Sequence, residues 1–96
     1  SYEMVECNLA FTQKEKERVA HLILSEKKLP QFKKAVSRVS YEDGCKVYFE
    51  DGFVICRFSG TEPLLRIFAE STNPVRAKEY IETLCDVINK KLEDKV

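Results

Sequence analysis

The sequence predicts an α+β domain: a mainly antiparallel sheet with two helices packed on one face, in the order β-α-β-β-β-β-α. Three observations carry that expectation. Five short segments alternate apolar and polar residues, the period of a half-buried strand. Two longer segments switch to helical spacing, each behind a recognisable N-cap. Finally, Asp51-Gly52 stands between two alternating runs and predicts a tight hairpin, hence antiparallel pairing.

The first strand, residues 2–11, places Val5, Cys7, Leu9 and Phe11 on one face, with Glu6 and Asn8 opposite. Thr12-Gln13-Lys14-Glu15 then reads as a capping box, a Thr N-cap with Glu three residues on. The helix it opens is expected to run to about Lys28, with Val19, Leu22, Ile23 and Glu26 at helical spacing and Pro30 as its stop. His21, the single histidine, falls opposite that stripe and is expected to be exposed rather than catalytic.

Residues 36–42 form the next strand, Val39 and Tyr41 inward, closed by a turn at Glu42-Asp43-Gly44. Residues 45–50 and 53–58 are the hairpin strands. A type I′ turn at Asp51-Gly52 needs positive φ at both residues. It sets Glu50 against Phe53, Phe49 against Val54, Val47 against Cys56 and Cys45 against Phe58. One face is then apolar: Cys45, Val47, Phe49, Val54, Cys56 and Phe58. Lys46, Tyr48, Glu50, Phe53, Ile55 and Arg57 make a mixed face. Residues 64–70 alternate again, Leu65, Ile67 and Ala69 against Arg66 and Glu70. Asn73-Pro74 is an N-cap followed by proline at the first helical position. The final helix lines up Ala77, Ile81, Leu84 and Ile88, reinforced by Tyr80, Cys85 and Leu92.

Ninety-six residues make one domain, 1–96, with an ordinary globular composition of 44% hydrophobic and 33% charged residues. Sixteen basic residues cancel sixteen acidic ones. That balance argues against a nucleic-acid or anionic-membrane partner, either of which favours a basic excess. No apolar run approaches the roughly 18 residues of a membrane span, and no signal-peptide pattern opens the chain, so a soluble, cytoplasmic protein is expected. The cysteines Cys7, Cys45, Cys56 and Cys85 form no CxxC pair, which argues against zinc. By the register above, Cys45 and Cys56 are diagonal neighbours at about 7–8 Å, too far for an easy disulfide. Reduced, buried cysteines are expected.

One segment carries chemistry: Arg57-Phe58-Ser59-Gly60-Thr61-Glu62-Pro63, between the last two strands. Gly60 lets backbone N–H groups approach a ligand, the Ser59 and Thr61 hydroxyls are short donors, and the Arg57 guanidinium can bind phosphate oxygens bidentately. Those are the parts a phosphate monoester needs. The residues alone leave a plain reading open, in which Ser59-Gly60-Thr61 is a simple turn and Arg57 pairs with Glu62 or Glu70 on the surface.

That segment, continued by Leu65-Arg66-Ile67 and an acidic strand end, resembles the C-terminal domain of the α-D-phosphohexomutases, which include phosphoglucomutase, phosphomannomutase and phosphoglucosamine mutase. The order of elements matches that domain as well, so the resemblance covers essentially the whole chain. It implies a TATA-box-binding-protein-like fold and a place as the fourth domain of a longer enzyme, closing over a cleft shared with three other domains. It also implies that Arg57, Ser59, Gly60 and Thr61 grip the substrate phosphate, with Glu62 and Arg66 supporting the loop. The family reaction interconverts hexose 1-phosphate and hexose 6-phosphate through a bisphosphorylated intermediate. The catalytic phosphoserine and the Mg²⁺ ligands are expected on other domains. This chain is therefore expected to hold no cofactor or metal and to be inactive alone. Its expected partners are a phosphorylated hexose and the other three domains. Two alternatives remain at this point. One is a stand-alone phosphate- or phosphosugar-binding accessory module; the other is an RNA-recognition surface on the mixed face, supported only by Tyr48 and Phe53.

Overall fold

The computed structural model describes residues 2–94. Its elements are β1 (Glu3–Ala10), α1 (Gln13–Ala20) extended by a π-helical turn over His21–Ser25, β2 (Val36–Ser40), β3 (Cys45–Phe49), β4 (Gly52–Phe58), β5 (Leu64–Ser71) and α2 (Pro74–Glu93). The strands form one antiparallel sheet in the order β1-β5-β4-β3-β2. β2 to β5 is a run of sequential neighbours, and α1 carries the chain from the β1 edge to the β2 edge. Both helices lie on one face, as their periodicity requires. The core gathers Val47, Val54, Cys56, Leu65, Ile67 and Ala69 from the sheet with Val19, Ile23, Ala77, Tyr80, Leu84 and Ile88 from the helices.

The caps form as their residues dictate. Thr12 Oγ1 accepts from the Glu15 N–H at 3.1 Å, and the Glu15 carboxylate accepts from the Thr12 N–H at 2.8 Å. Asn73 Oδ1 accepts from the Val75 N–H at 3.0 Å, with Pro74 opening α2. At the other end of α2, the Arg18 guanidinium donates to the carbonyls of Lys91 (2.6 Å) and Asp94. A side chain of α1 thus adds donors at the C-terminal end of α2, where the Lys91 carbonyl also accepts from the Asp94 N–H at 3.2 Å. The first helix stops at Ser25, short of Lys28. The Glu26 N–H reaches back to the His21 carbonyl at 2.8 Å, Lys27 turns left-handed at φ 54°, and the Lys28 N–H closes on the Leu22 carbonyl at 3.0 Å. His21 is exposed.

The hairpin differs from expectation in register. Phe49 pairs with Gly52, Val47 with Val54 and Cys45 with Cys56, so the turn is Glu50-Asp51 and Gly52 belongs to β4. Neither Asp51 nor Gly52 has positive φ. Gly52 is there for close approach instead: a Cβ on it would lie 1.9 Å from the Glu70 carbonyl oxygen of β5. The slip is two residues, so every side chain keeps its predicted face. Cys45 and Cys56 are therefore direct cross-strand partners, and the distance argument against a bridge fails. All four thiols are free nonetheless. The hydrogen bond that the Cys56 thiol donates to Cys45, together with burial, pushes the Cys56 thiol upward, while burial and the neighbouring Cys7 push Cys85 up to about 12. Thiols so protonated pack as small hydrophobes.

A polar node ties the hairpin turn to α2. Asp51 accepts from Tyr80 Oη at 2.5 Å and from Ser71 Oγ at 3.0 Å, and its carbonyl accepts from the Thr72 N–H at 3.0 Å. The Tyr80 ring lies stacked on Phe49 with centroids 3.9 Å apart, and Phe32 meets both edge-on.

Candidate functional site

With both helices on one side, the other face of the sheet is left open, and Arg57 stands on it. The alternation of β4 that buries Val54 and Cys56 turns Phe53, Ile55 and Arg57 outward. The Arg57 guanidinium donates to Asp43 Oδ2 at 2.6 Å. Neither of the carboxylates expected from sequence, Glu62 or Glu70, is its partner. Asp43 sits on the β2–β3 turn beside Gly44, whose backbone presses on β4: a Cβ at Gly44 would lie 3.2 Å from the Arg57 Cα. The correct register places this turn against Arg57, and the register slip is what hid Asp43 in the sequence.

Arg66 is the direct cross-strand partner of Arg57 and shares its face. Like charges placed opposite one another destabilise a sheet unless an anion lies between them. Two small cavities flank Arg57. One, of about 220 Å³, is lined in part by Ser40, Asp43, Lys46 and Tyr48. The other, of about 230 Å³, is lined by Glu6, Ile55, Arg66 and Phe68 as well as Arg57. Cations continue across the face, Arg38 over the Tyr48 ring at 4.3 Å and Lys46 over Phe53 at 4.1 Å.

The loop after Arg57 is polarised. The Ser59 N–H closes it on the Leu64 carbonyl at 2.9 Å. Ser59 Oγ accepts from the N–H groups of Thr61 (3.4 Å) and Glu62 (3.3 Å), so these donors converge on the serine hydroxyl. The carbonyls are claimed from the α1 side. Pro63 accepts from the Phe11 N–H at 2.8 Å, and Lys16 Nζ donates to Ser59 O at 2.9 Å and Glu62 O at 3.3 Å. Gly60 is exposed with its φ outside the left-handed region, and a Cβ there would meet nothing within 4 Å. Its value is open space above the backbone rather than a special conformation. Glu62 and Thr61 are exposed, and Glu62 shapes the loop through its backbone.

The sequence residues thus fall into two adjoining groups: Arg57 and Arg66 on the open sheet face, and residues 59–62 at the end of β4. Lys16 and Asp43, which hold them, carried no signal in the sequence because each acts across the fold. Together the groups offer a guanidinium, two hydroxyls and the Gly60 N–H, which has no acceptor among the described residues, a donor set for a tetrahedral oxyanion. Among the described residues no three His, Cys, Asp or Glu side chains gather as a metal cluster, and no helix is long and apolar enough to cross a membrane.

The family model described as phosphoglucomutase/phosphomannomutase, C-terminal domain, matches residues 6–87. A phosphoglucomutase/phosphomannomutase of Thermococcus kodakarensis is 47% identical over 45 residues, which cover 47% of this chain and 10% of that protein. A probable phosphoglucosamine mutase of Methanopyrus kandleri is 34% identical over 64 residues, 67% of this chain and 14% of that protein. The chain thus spans only about a tenth to a seventh of the length of these relatives. A solved phosphoglucomutase/phosphomannomutase family protein from Burkholderia thailandensis superposes with a TM-score of 0.65 at 18% identity, over 96% of this chain and 19% of that one, which shows the shared fold.

Proposed function

Because the chain belongs to the phosphoglucomutase/phosphomannomutase C-terminal domain family, we propose that it is the substrate-phosphate-binding domain of a longer phosphosugar mutase, one that interconverts hexose 1-phosphate and hexose 6-phosphate. The observation that carries this reading is the polarised loop beside Arg57. Lys16 holds its Ser59 and Glu62 carbonyls, Thr61 and Gly60 are exposed, and the Gly60 N–H has no acceptor among the described residues. Such donors read a phosphate and not the sugar ring to which it is attached. The same clamp therefore accepts a phosphate from either end of the hexose, as a reaction with a reorienting bisphosphate intermediate requires. Holding one phosphate directs the far end of the sugar toward the reacting group, which is catalysis by orientation. A mobile domain closing over the substrate also excludes water. On this reading the phosphoserine and Mg²⁺ belong to other domains of a cytoplasmic parent enzyme, and this chain alone has no mutase activity.

The test is a titration of the chain with glucose 1-phosphate, glucose 6-phosphate and free glucose, followed by backbone amide shifts. The reading expects Gly60 and Thr61 to respond to both phosphates with similar affinity and not to glucose. No response at residues 57–61, or an equal response to glucose, overturns it. The mass of the native polypeptide carrying this segment tests the parentage: several times 96 residues is expected, and a product near 11 kDa contradicts it.

A further inference from the structure

Lys16 lies on α1, far from the phosphate motif in sequence, yet its ammonium is the only side chain among the described residues that donates to the carbonyls of the 59–62 loop. A trans peptide holds its C=O and N–H antiparallel. The bond from Lys16 to the Ser59 carbonyl therefore turns the N–H of the same peptide unit, that of Gly60, away from the Lys16 ammonium, at a residue that is itself exposed. No acceptor among the described residues takes that N–H. The second bond, to the Glu62 carbonyl, fixes the far end of the loop, where Glu62 also accepts from the Leu64 N–H at 2.8 Å. Between those two anchors, the Thr61 and Glu62 N–H groups converge on Ser59 Oγ.

We propose that Lys16 is a positioning residue for oxyanion binding: it polarises the 59–62 loop, aims the Gly60 N–H at the bound phosphate and places a positive charge behind it. This rests on the reading of that loop as a phosphate site. The support under Lys16 suits the role. The Thr12–Glu15 capping box fixes the first turn of α1, and the Phe11 N–H to Pro63 carbonyl bond joins the strand end before it to the same loop. The lysine is thus presented from a rigid element, as a positioning group must be. Its charge also favours an anion over a neutral ligand at the loop, and of the two carbonyls it holds, that of Ser59 belongs to a peptide unit with an N–H at its other end, Gly60, while that of Glu62 precedes Pro63, which has none.

The experiment is a titration of the chain with inorganic phosphate, read from backbone amide shifts, for the unaltered protein, Lys16→Met, Lys16→Arg and Lys14→Met. Lys14 is exposed on the same turn and controls for net charge. Lys16→Met is expected to shift the Gly60 amide even without phosphate and to weaken phosphate binding about tenfold, the scale of a lost charge-assisted hydrogen bond. Lys16→Arg, which keeps the donors, is expected to restore both, and Lys14→Met to change neither. Phosphate binding by Lys16→Met equal to the unaltered chain overturns the proposal while leaving the loop's phosphate role intact. An equal loss in Lys14→Met also overturns it, because the effect is then one of charge alone. If the unaltered chain shows no response at residues 57–61, the phosphate reading itself fails, and this proposal fails with it. Lys16→Arg then remains an internal check, since it preserves packing whatever the fate of the methionine variant.

Discussion

Gly52 and Gly60 were both legible as glycines that matter, but only the structure says why each does. The Asp51-Gly52 pair predicts a turn residue with positive φ, whereas Gly52 is a strand residue whose missing Cβ lets β5 approach. Sequence cannot separate these cases, because an Asp-Gly pair fits a hairpin turn and a close strand contact equally well. The two sites therefore predict opposite outcomes. Gly52→Ala drives a methyl into the Glu70 backbone and is expected to lower stability by about 3 kcal/mol or more, seen as a lower denaturant midpoint. Gly60→Ala meets no protein atom, so its stability is expected to stay within about 0.5–1 kcal/mol of the original. Its new methyl occupies the space over the loop, so phosphate binding is expected to fall. Unchanged binding in Gly60→Ala would place the anion elsewhere.

At the scale of elements, faces were readable and registers were not. Strand parity is written in the alternation of Val47, Phe49, Val54 and Cys56, and a two-residue slip preserves it. The slip still moved the β2–β3 turn, and with it Asp43, out of view of Arg57. The end of the first helix is hidden in the sequence for a related reason. Pro30 suggested a late stop, but the helix closes earlier on a left-handed Lys27, where no glycine announces it. Burial pushes the Asp51 carboxyl upward, but hydrogen bonds from Tyr80 and Ser71 outweigh it and hold the group below its ordinary value. A depressed carboxylate contributes stability that is complete above its unfolded pKa of about 3.9 and is lost as pH falls through the lower folded value. Asp51→Asn is expected to cost about 1–3 kcal/mol at pH 7 and to flatten the loss of stability in acid. Thermal unfolding midpoints between pH 2 and pH 7 measure both, and parallel profiles for the two proteins would contradict the node's role. Tyr80 is pushed upward by burial and by Asp51, so its share persists below its unfolded value and disappears only in strong alkali.

Across the whole molecule, the fold's division of labour explains the placement of the candidate site. α1 and α2 cover one face of the sheet, and the chemistry collects on the open face and at its β4–β5 corner. The residues Arg57, Ser59, Gly60, Thr61, Glu62 and Arg66 were visible because they lie together in the chain. Lys16 and Asp43 were not, since only the packing of α1 and of the β2–β3 turn brings them there. The role proposed for Arg57 and its loop is to hold the substrate phosphate. The most direct measurement is kcat/KM of the parent enzyme with Arg57→Ala, alongside its unfolding midpoint. Arg57 is exposed and outside the core, so the midpoint is expected to hold. Loss of one or two charge-assisted bonds to phosphate is expected to lower kcat/KM about tenfold to a hundredfold. An unchanged kcat/KM in a folded variant would contradict the claim.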